Sequence, residues 1–324
     1  MGRVFKYYLT ALPVFLTLGN GGHCLDSLRS SFESRVDLSA FTINLEPAER
    51  LIGETWFIGI GINHYQDASL RDLKNAKKDV LDVFDKFCKD YGFKRERSVL
   101  LFDSTATRSA ILAALLHITQ LADGSDNIVV YYAGHGTYSD STATGVWIPS
   151  DARKDNFLTY VSYGDLMNDF VGQCEARHVV IFNDACFGGT MFSHEVRGSS
   201  PKIRELQKIH TVPDTGQTTR SDDPGMQPDA EYANMYYDKL EQIYSRELFT
   251  SGRREQVLDG AAGTHSPFAQ AILDYCNLDH EIFTVAEMAE VVKKTVAMKT
   301  GQVPRYGALS SAGDDGGEFV FRKK

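Results

Sequence analysis

Cys186 and His135 are the residues best equipped for chemistry in this chain. A thiol becomes a strong nucleophile once ionised, and an imidazole titrates near neutral pH, so the pair suffices for acyl transfer. The imidazole takes or shares the thiol proton, the thiolate attacks a carbonyl carbon, and nearby N–H groups stabilise the oxyanion. Each residue follows an apolar run that reads as a buried strand. Ile128 to Ala133 (IVVYYA) leads into Gly134-His135-Gly136, and His178 to Asn183 (HVVIFN) leads into Asp184-Ala185-Cys186-Phe187-Gly188-Gly189. In an open parallel sheet ligands bind beyond the carboxyl ends of the strands, so two neighbouring strands would set the thiol against the imidazole. Glycines beside both let backbone approach closely and leave N–H groups to point at a ligand. Taken singly, a cysteine after a buried strand is most often a packed small hydrophobe, and a histidine between glycines a turn cap. Their joint placement at two strand ends, 51 positions apart, is the stronger signal.

The elements that must position them alternate. Trp56 to Ile62 reads as a buried strand, and Leu70 to Tyr91 repeats apolar residues at helical spacing (Leu73, Ala76, Val80, Val83, Phe84, Phe87). Ser98 to Phe102 predicts a strand and Thr107 to Leu121 a helix. Beyond Gly136 come a polar loop, a short strand at Val146 to Ile148 and a helix near Tyr163 to Val171. Residues Ser193 to Ser245 break the rhythm, with Pro201, Pro213, Pro224 and Pro228 among polar turns, and predict a long functional loop. A strand at Glu247 to Thr250, helices at Ser266 to Asn277 and Thr284 to Met298, and a strand at Glu318 to Phe321 follow. The βαβα order predicts an α/β fold with a mostly parallel central sheet and helices on both faces.

Bulk properties narrow the function. At 324 residues with 43% hydrophobic and 24% charged content, the chain is an ordinary globule, too long for one small domain and too short for three. A net charge of −9 without a Lys/Arg cluster excludes nucleic acid as the main partner. Five scattered cysteines (Cys24, Cys88, Cys174, Cys186, Cys276) form neither a disulfide framework nor a C-x-x-C zinc motif, so no metal site is assigned. IGIGIN (Ile58 to Asn63) lacks the third glycine and the helix of a dinucleotide fingerprint. The first 22 residues, with Arg3 and Lys6 before an apolar run from Tyr7 to Gly19, are signal-like and predict a periplasmic or secreted protein. The alternative is a buried or amphipathic N-terminal helix in a cytoplasmic one.

The blocks IGIGINHY (Ile58 to Tyr65), YYAGHG (Tyr131 to Gly136), NDACFGG (Asn183 to Gly189) and GDDGGEFVF (Gly313 to Phe321) stand in order. The known caspase signature is Gln-Ala-Cys-x-Gly with a His about 50 residues upstream; here Asp184-Ala185-Cys186-Phe187-Gly188 follows His135 at that distance. From about Thr55 to Phe321 the chain resembles the caspase and metacaspase superfamily of cysteine peptidases, most closely its bacterial caspase-like branch. The resemblance implies Cys186 as nucleophile, His135 as general base and acid, and an oxyanion hole of the Gly136 and Cys186 backbone N–H groups, with no third catalytic member. It implies a large part at 55–192, an intersubunit linker at 193–245 and a small part of the same domain at 246–324, preceded by a signal-like segment (1–24) and an extension (25–54).

Specificity follows from the same resemblance. Caspases that cut after Asp carry a neutral Gln two before the nucleophile, whereas this chain has Asp184, as metacaspases do. That implies an S1 pocket for Arg or Lys, so the partners are proteins or peptides with a basic P1 residue. The second S1 acid implied is Asp79, whose helical neighbours Ala76 and Val83 are apolar and place it beside the buried stripe. Bland readings stand beside these: a turn cap for Asp184 and an exposed helix charge for Asp79. Ala133 replaces a serine common in metacaspases, and Phe187 narrows the leaving-group side. No cofactor is required; calcium, an activator of some metacaspases, is matched in part by Asp151, while Ser193 stands where another acid belongs. Arg197, Lys202, Arg204, Lys208 and Arg220 offer self-cleavage sites in the linker, with Arg246, Arg253 and Arg254 less accessible. The upstream activator is not encoded in any motif. Competing classes are a peptide-binding scaffold that does not turn over, a metal site on His135, Cys186 and Asp184, and a serine hydrolase on His265-Ser266, where Ser is an ordinary helix N-cap.

Overall fold

The structure, a computed structural model, describes residues 53–139, 144–186, 230–252, 258–260 and 263–324, all within one compact unit. The signal-like segment, Phe187 to Gly189, Ser193, the linker bases Arg197 to Arg220, and Arg253 and Arg254 lie outside the described residues.

Each of β1 (Thr55–Gly61), β3 (Asn127–Ala133) and β6 (His178–Asp184) is built on a continuous apolar run behind a polar first residue. Strands this uniformly apolar must be covered on both faces, which is the condition of a parallel sheet. With β2 (Ser98–Phe102), β7 (Ser245–Thr250) and β9 (Arg305–Ala308) they make a six-stranded sheet of order β2-β1-β3-β6-β7-β9, parallel except for β9 at its edge. The predicted mostly parallel α/β sheet is thus present.

Strand alternation sends side chains to two cores. One face presents Phe57, Val129, Tyr131, Val180, Phe182 and Phe249 to helices α1 (Ala76–Tyr91), α4 (Pro267–Cys276) and α5 (Val285–Lys299). The other presents Ile58, Ile60, Val130, Tyr132 and Ile181 to α2 (Arg108–Leu121), with a short π-helical turn (Asp165–Phe170) beside it. A hairpin of β4 (Gly136–Ser139) and β5 (Thr144–Trp147) rises from the end of β3, and β8 (Ile282–Thr284) pairs with β10 (Val320–Arg322).

Two expectations need correction. Residues 70–75 are not helical: α1 begins at Ala76, because the Asp259 carboxylate accepts the N–H groups of Lys74 (2.6 Å) and Asn75 (3.1 Å) and Leu73 N–H bonds Asn63 O instead. The loop also does not run to Ser245. Its last part is helix α3 (Ala230–Glu241), which follows the final proline of the segment and is tied to α5 through Tyr237 Oη on the Glu287 carboxylate (3.0 Å). Arg322 secures it further with Asp238 (2.7 Å) and Glu241 (2.5 Å).

Candidate active site

Register brings the two reactive residues together. Adjacent parallel strands β3 and β6 pair Ala133 with Asp184, so His135 and Cys186 each lie two residues beyond the same rung. Contact there is close enough to demand glycine: a Cβ on Gly136 would come within 2.4 Å of the Cys186 carbonyl oxygen. A cavity of about 550 Å³ opens over this edge, lined by His135, Cys186, Asp79, Asp184 and Asp259 among others.

The imidazole is held on three sides. Its backbone N–H donates to Tyr65 Oη (2.7 Å), and the Tyr65 ring stacks on it at 4.8 Å. Its carbonyl accepts from Tyr132 Oη (2.7 Å) and from Ile148 N–H (3.0 Å). Nε2 lies 2.5 Å from the Arg71 carbonyl oxygen. A carbonyl can only accept, so Nε2 carries the hydrogen and the neutral ring keeps Nδ1 as its basic nitrogen. Tyr65 and Arg71 both sit on the segment between β1 and α1. Neither was legible beforehand, since a backbone carbonyl has no residue signature and one tyrosine among fifteen carries no spacing signal.

The two acids implied as S1 residues line the same cavity, and both are buried: Asp79 is 1% exposed and Asp184 5%. Asp184 Oδ2 accepts from Ser266 Oγ (2.5 Å), while Oδ1 has no hydrogen-bond partner among the described residues. Burial pushes its carboxyl up to about 6, opposed by the Ser266 hydroxyl. Asp79 accepts from the Ser266 N–H (3.2 Å) and lies 2.7 Å from His265 Nδ1. Burial, and then the Asp184 charge, push it up to about 9. Burial lowers His265, and its Nε2 lies between Lys78 Nζ at 3.0 Å and Asp82 Oδ2 at 3.3 Å. Neither Asp79 nor Asp184 is ion-paired to Lys or Arg among the described residues. The cavity therefore holds two buried acids with their natural counter-charge missing.

The wall opposite β3 is a loop that sequence reasoning did not single out. Asn75 donates Nδ2 to Asp259 O (2.5 Å) and accepts the Gly263 N–H (3.1 Å), stitching residues 259–263 to the start of α1. Gly260, at φ +78° with His265 O 2.3 Å from any Cβ, has to be glycine. Ser266 is the N-cap of α4, accepting from Ala269 N–H (3.0 Å), as expected, and it also holds Asp184. The bland readings of Asp184 as a turn cap and Asp79 as an exposed charge do not match these positions.

Metal chemistry finds no framework: among the described residues no group of three or more His, Cys, Asp and Glu is arranged to hold an ion. Asp151, the acid nearest an implied calcium position, is spent on the start of α2, where it accepts the Arg108 N–H at 2.8 Å.

The caspase domain of the C14 peptidases matches residues 58–312, and the chain belongs to that family. Among curated relatives, it is 27% identical over 158 residues to Metacaspase-4 of Arabidopsis thaliana, covering 44% of this chain and 36% of that protein. To Metacaspase-1 of Cryptococcus neoformans var. neoformans serotype D it is 26% identical over 161 residues, covering 40% of this chain and 32% of the other. The match thus spans about a third of each relative's length. The crystal structure of protein GSU0716 from Geobacter sulfurreducens aligns over 79% of this chain and 93% of its own, at 16% identity and a TM-score of 0.48.

Proposed function

We propose that the chain is a cysteine endopeptidase that hydrolyses peptide bonds after Arg or Lys. The observation that carries this reading is the pair of buried carboxylates, Asp79 and Asp184, that have no Lys or Arg partner among the described residues and line the same cavity as His135 and Cys186. A guanidinium or ammonium entering that cavity supplies the missing charge, and Arg is suited to the free Asp184 Oδ1 because its planar fork offers several donors. His265 Nδ1, 2.7 Å from its carboxylate, anchors Asp79 in place.

In this reading Nδ1 of His135 takes the Cys186 thiol proton and the sulfur attacks the carbonyl carbon of the P1 residue. The oxyanion is met by the N–H groups of Gly136 and Cys186. His135 then gives its proton to the leaving nitrogen, the C–N bond breaks, and a thioester remains on Cys186. Water, deprotonated by His135, hydrolyses the thioester and releases the acid. Arg71 O keeps Nε2 protonated throughout, so a backbone carbonyl does the orienting that a carboxylate does in other triads.

Self-cleavage at the linker bases Arg197 to Arg220 is part of the proposal, since they match the P1 preference. Calcium is treated as an added variable rather than a part of the reaction. The test pairs purified wild type with Cys186→Ala on peptides that differ only at P1. Turnover after Arg that survives in Cys186→Ala would remove Cys186 from the mechanism. Peptide binding without turnover in wild type would favour the scaffold alternative.

A further inference from the structure

A second cavity, of about 400 Å³, lies on the other side of His135. It shares Arg71 and His135 with the acidic cavity, and Gly136 lines it, but none of the acids Asp79, Asp184 or Asp259 does. One part of its wall is apolar and aromatic, formed by Leu70, Ile148, Phe157 and Tyr160, the last two rings meeting edge to face at 5.2 Å, and the rest is polar. Ile148 and Tyr160 are buried, whereas Phe157 remains 44% exposed and its neighbour Leu158 is 88% exposed. A large ring left half in water at the wall of a cavity has apolar surface to offer a ligand.

Reaction geometry says which part of a substrate arrives there. Resting on the peptidase reading above, the P1 side chain occupies the acidic cavity, and the proton carried by His135 must reach the leaving nitrogen. The chain beyond that nitrogen consequently passes the imidazole away from the acids, toward Gly136 and this second cavity. We propose that the second cavity is a leaving-peptide subsite that takes an aromatic or large aliphatic side chain at P1′ or P2′. The occupant is the substrate itself, because the cavity adjoins the P1 site, with His135 and Arg71 lining both. Exposed Arg71, Lys154 and Asp155 also line it, two cations against one acid, so an acidic residue is the chemical competitor for the same place.

Binding to full-length Cys186→Ala tests this without turnover. Uncleaved peptides spanning P4 to P4′ carry Arg at P1 and either Phe, Gly or Asp at P1′ or P2′, with a matched set carrying Gly at P1; affinity is read by anisotropy. The expected result is that Phe binds about tenfold or more tighter than Gly at one of the two positions, the scale of one buried apolar group. That advantage should collapse toward one in Cys186→Ala with Phe157→Ala, while dependence on P1 Arg persists and shows that the variant is folded. Equal binding of Phe and Gly peptides, or tightest binding of Asp, with P1 dependence intact would overturn the subsite. Loss of P1 dependence, or no binding by any peptide, would overturn the peptidase reading beneath it.

Discussion

A buried carboxylate with no cation is an unusual thing to keep, and at Asp79 and Asp184 it sets measurable behaviour. Both groups are raised, to about 9 and about 6, so the folded protein holds protons that the unfolded chain releases above its ordinary carboxylate range near 3.8. More protons bound in the folded state means that stability falls as pH rises, from about 4 through 6 for Asp184 and on to 9 for Asp79. Asp79→Asn should therefore gain melting temperature over wild type at pH 8 and show little gain at pH 4. In the same variant kcat/KM for Arg substrates should fall by about two orders of magnitude or more, as for loss of one partner of a buried charge pair. A melting curve and a peptide assay on one preparation read both, and a variant stabilised at pH 8 with undiminished turnover would remove Asp79 from P1 binding. Asp184 contributes a second sign: kcat/KM for Arg peptides should rise with pH through about 6, as its carboxyl ionises, and Asp184→Asn should flatten that limb. Tyr65→Phe removes the oxygen that accepts the His135 N–H while leaving the stacked ring. We expect kcat to fall by about tenfold with KM nearly unchanged, because a misplaced imidazole affects the proton transfers and not P1 binding. The Cys186 and His135 pair was legible in the sequence because side-chain type and spacing announced it. Arg71 was not, because its contribution is a main-chain oxygen.

At the scale of elements, the site depends on three segments meeting at one edge: the β1–α1 connection, the ends of β3 and β6, and the loop ahead of α4. Asn75 is the rivet between the first and the third, fully buried and bonded to both Asp259 and Gly263. Asn75→Ala leaves the Gly263 N–H and Asp259 O without that partner and should cost about 1–3 kcal/mol of stability. KM for Arg peptides should rise more than kcat falls, since the released loop walls the P1 cavity and not the thiol. A change in kcat alone would show that the loop acts elsewhere. The long buried strands were readable because a parallel sheet covered on both faces needs uninterrupted apolar runs. Strand β4 (GTYS), the edge strand β9 (RYGA) and helix α3 were not, whereas β5 was expected close to its place. The first two are short and rich in glycine or polar residues, and α3 follows a proline-rich stretch whose character dominates its surroundings. The contacts of His265 and Asp259 escaped for a different reason: they reach Asp79 and the start of α1 across about 185 positions of chain, a distance no local pattern spans.

For the whole molecule, the proposed self-cleavage has a structural consequence. The linker joins β6 to β7, and these strands pair along His178 to Asn183 and Ser245 to Thr250 in the middle of the sheet. Further ties cross the same line, including Arg246 Nη2 on Cys174 O (3.0 Å) and His178 Nδ1 with Ser245 Oγ (2.8 Å). Chains cut between Arg197 and Arg220 should thus remain one particle, showing two bands on a denaturing gel and a single peak by size exclusion. Separation of the fragments without denaturant would contradict the shared sheet. The central claim is that one acidic cavity beside Cys186 selects a basic P1 residue, and a single assay bears on it most directly. Wild type and Cys186→Ala are compared on fluorogenic peptides identical except for Arg, Lys or Asp at P1, with and without calcium. We expect cleavage after Arg and Lys, absent in Cys186→Ala, and no cleavage after Asp. Cleavage after Asp, with Arg and Lys peptides left intact, would contradict the account.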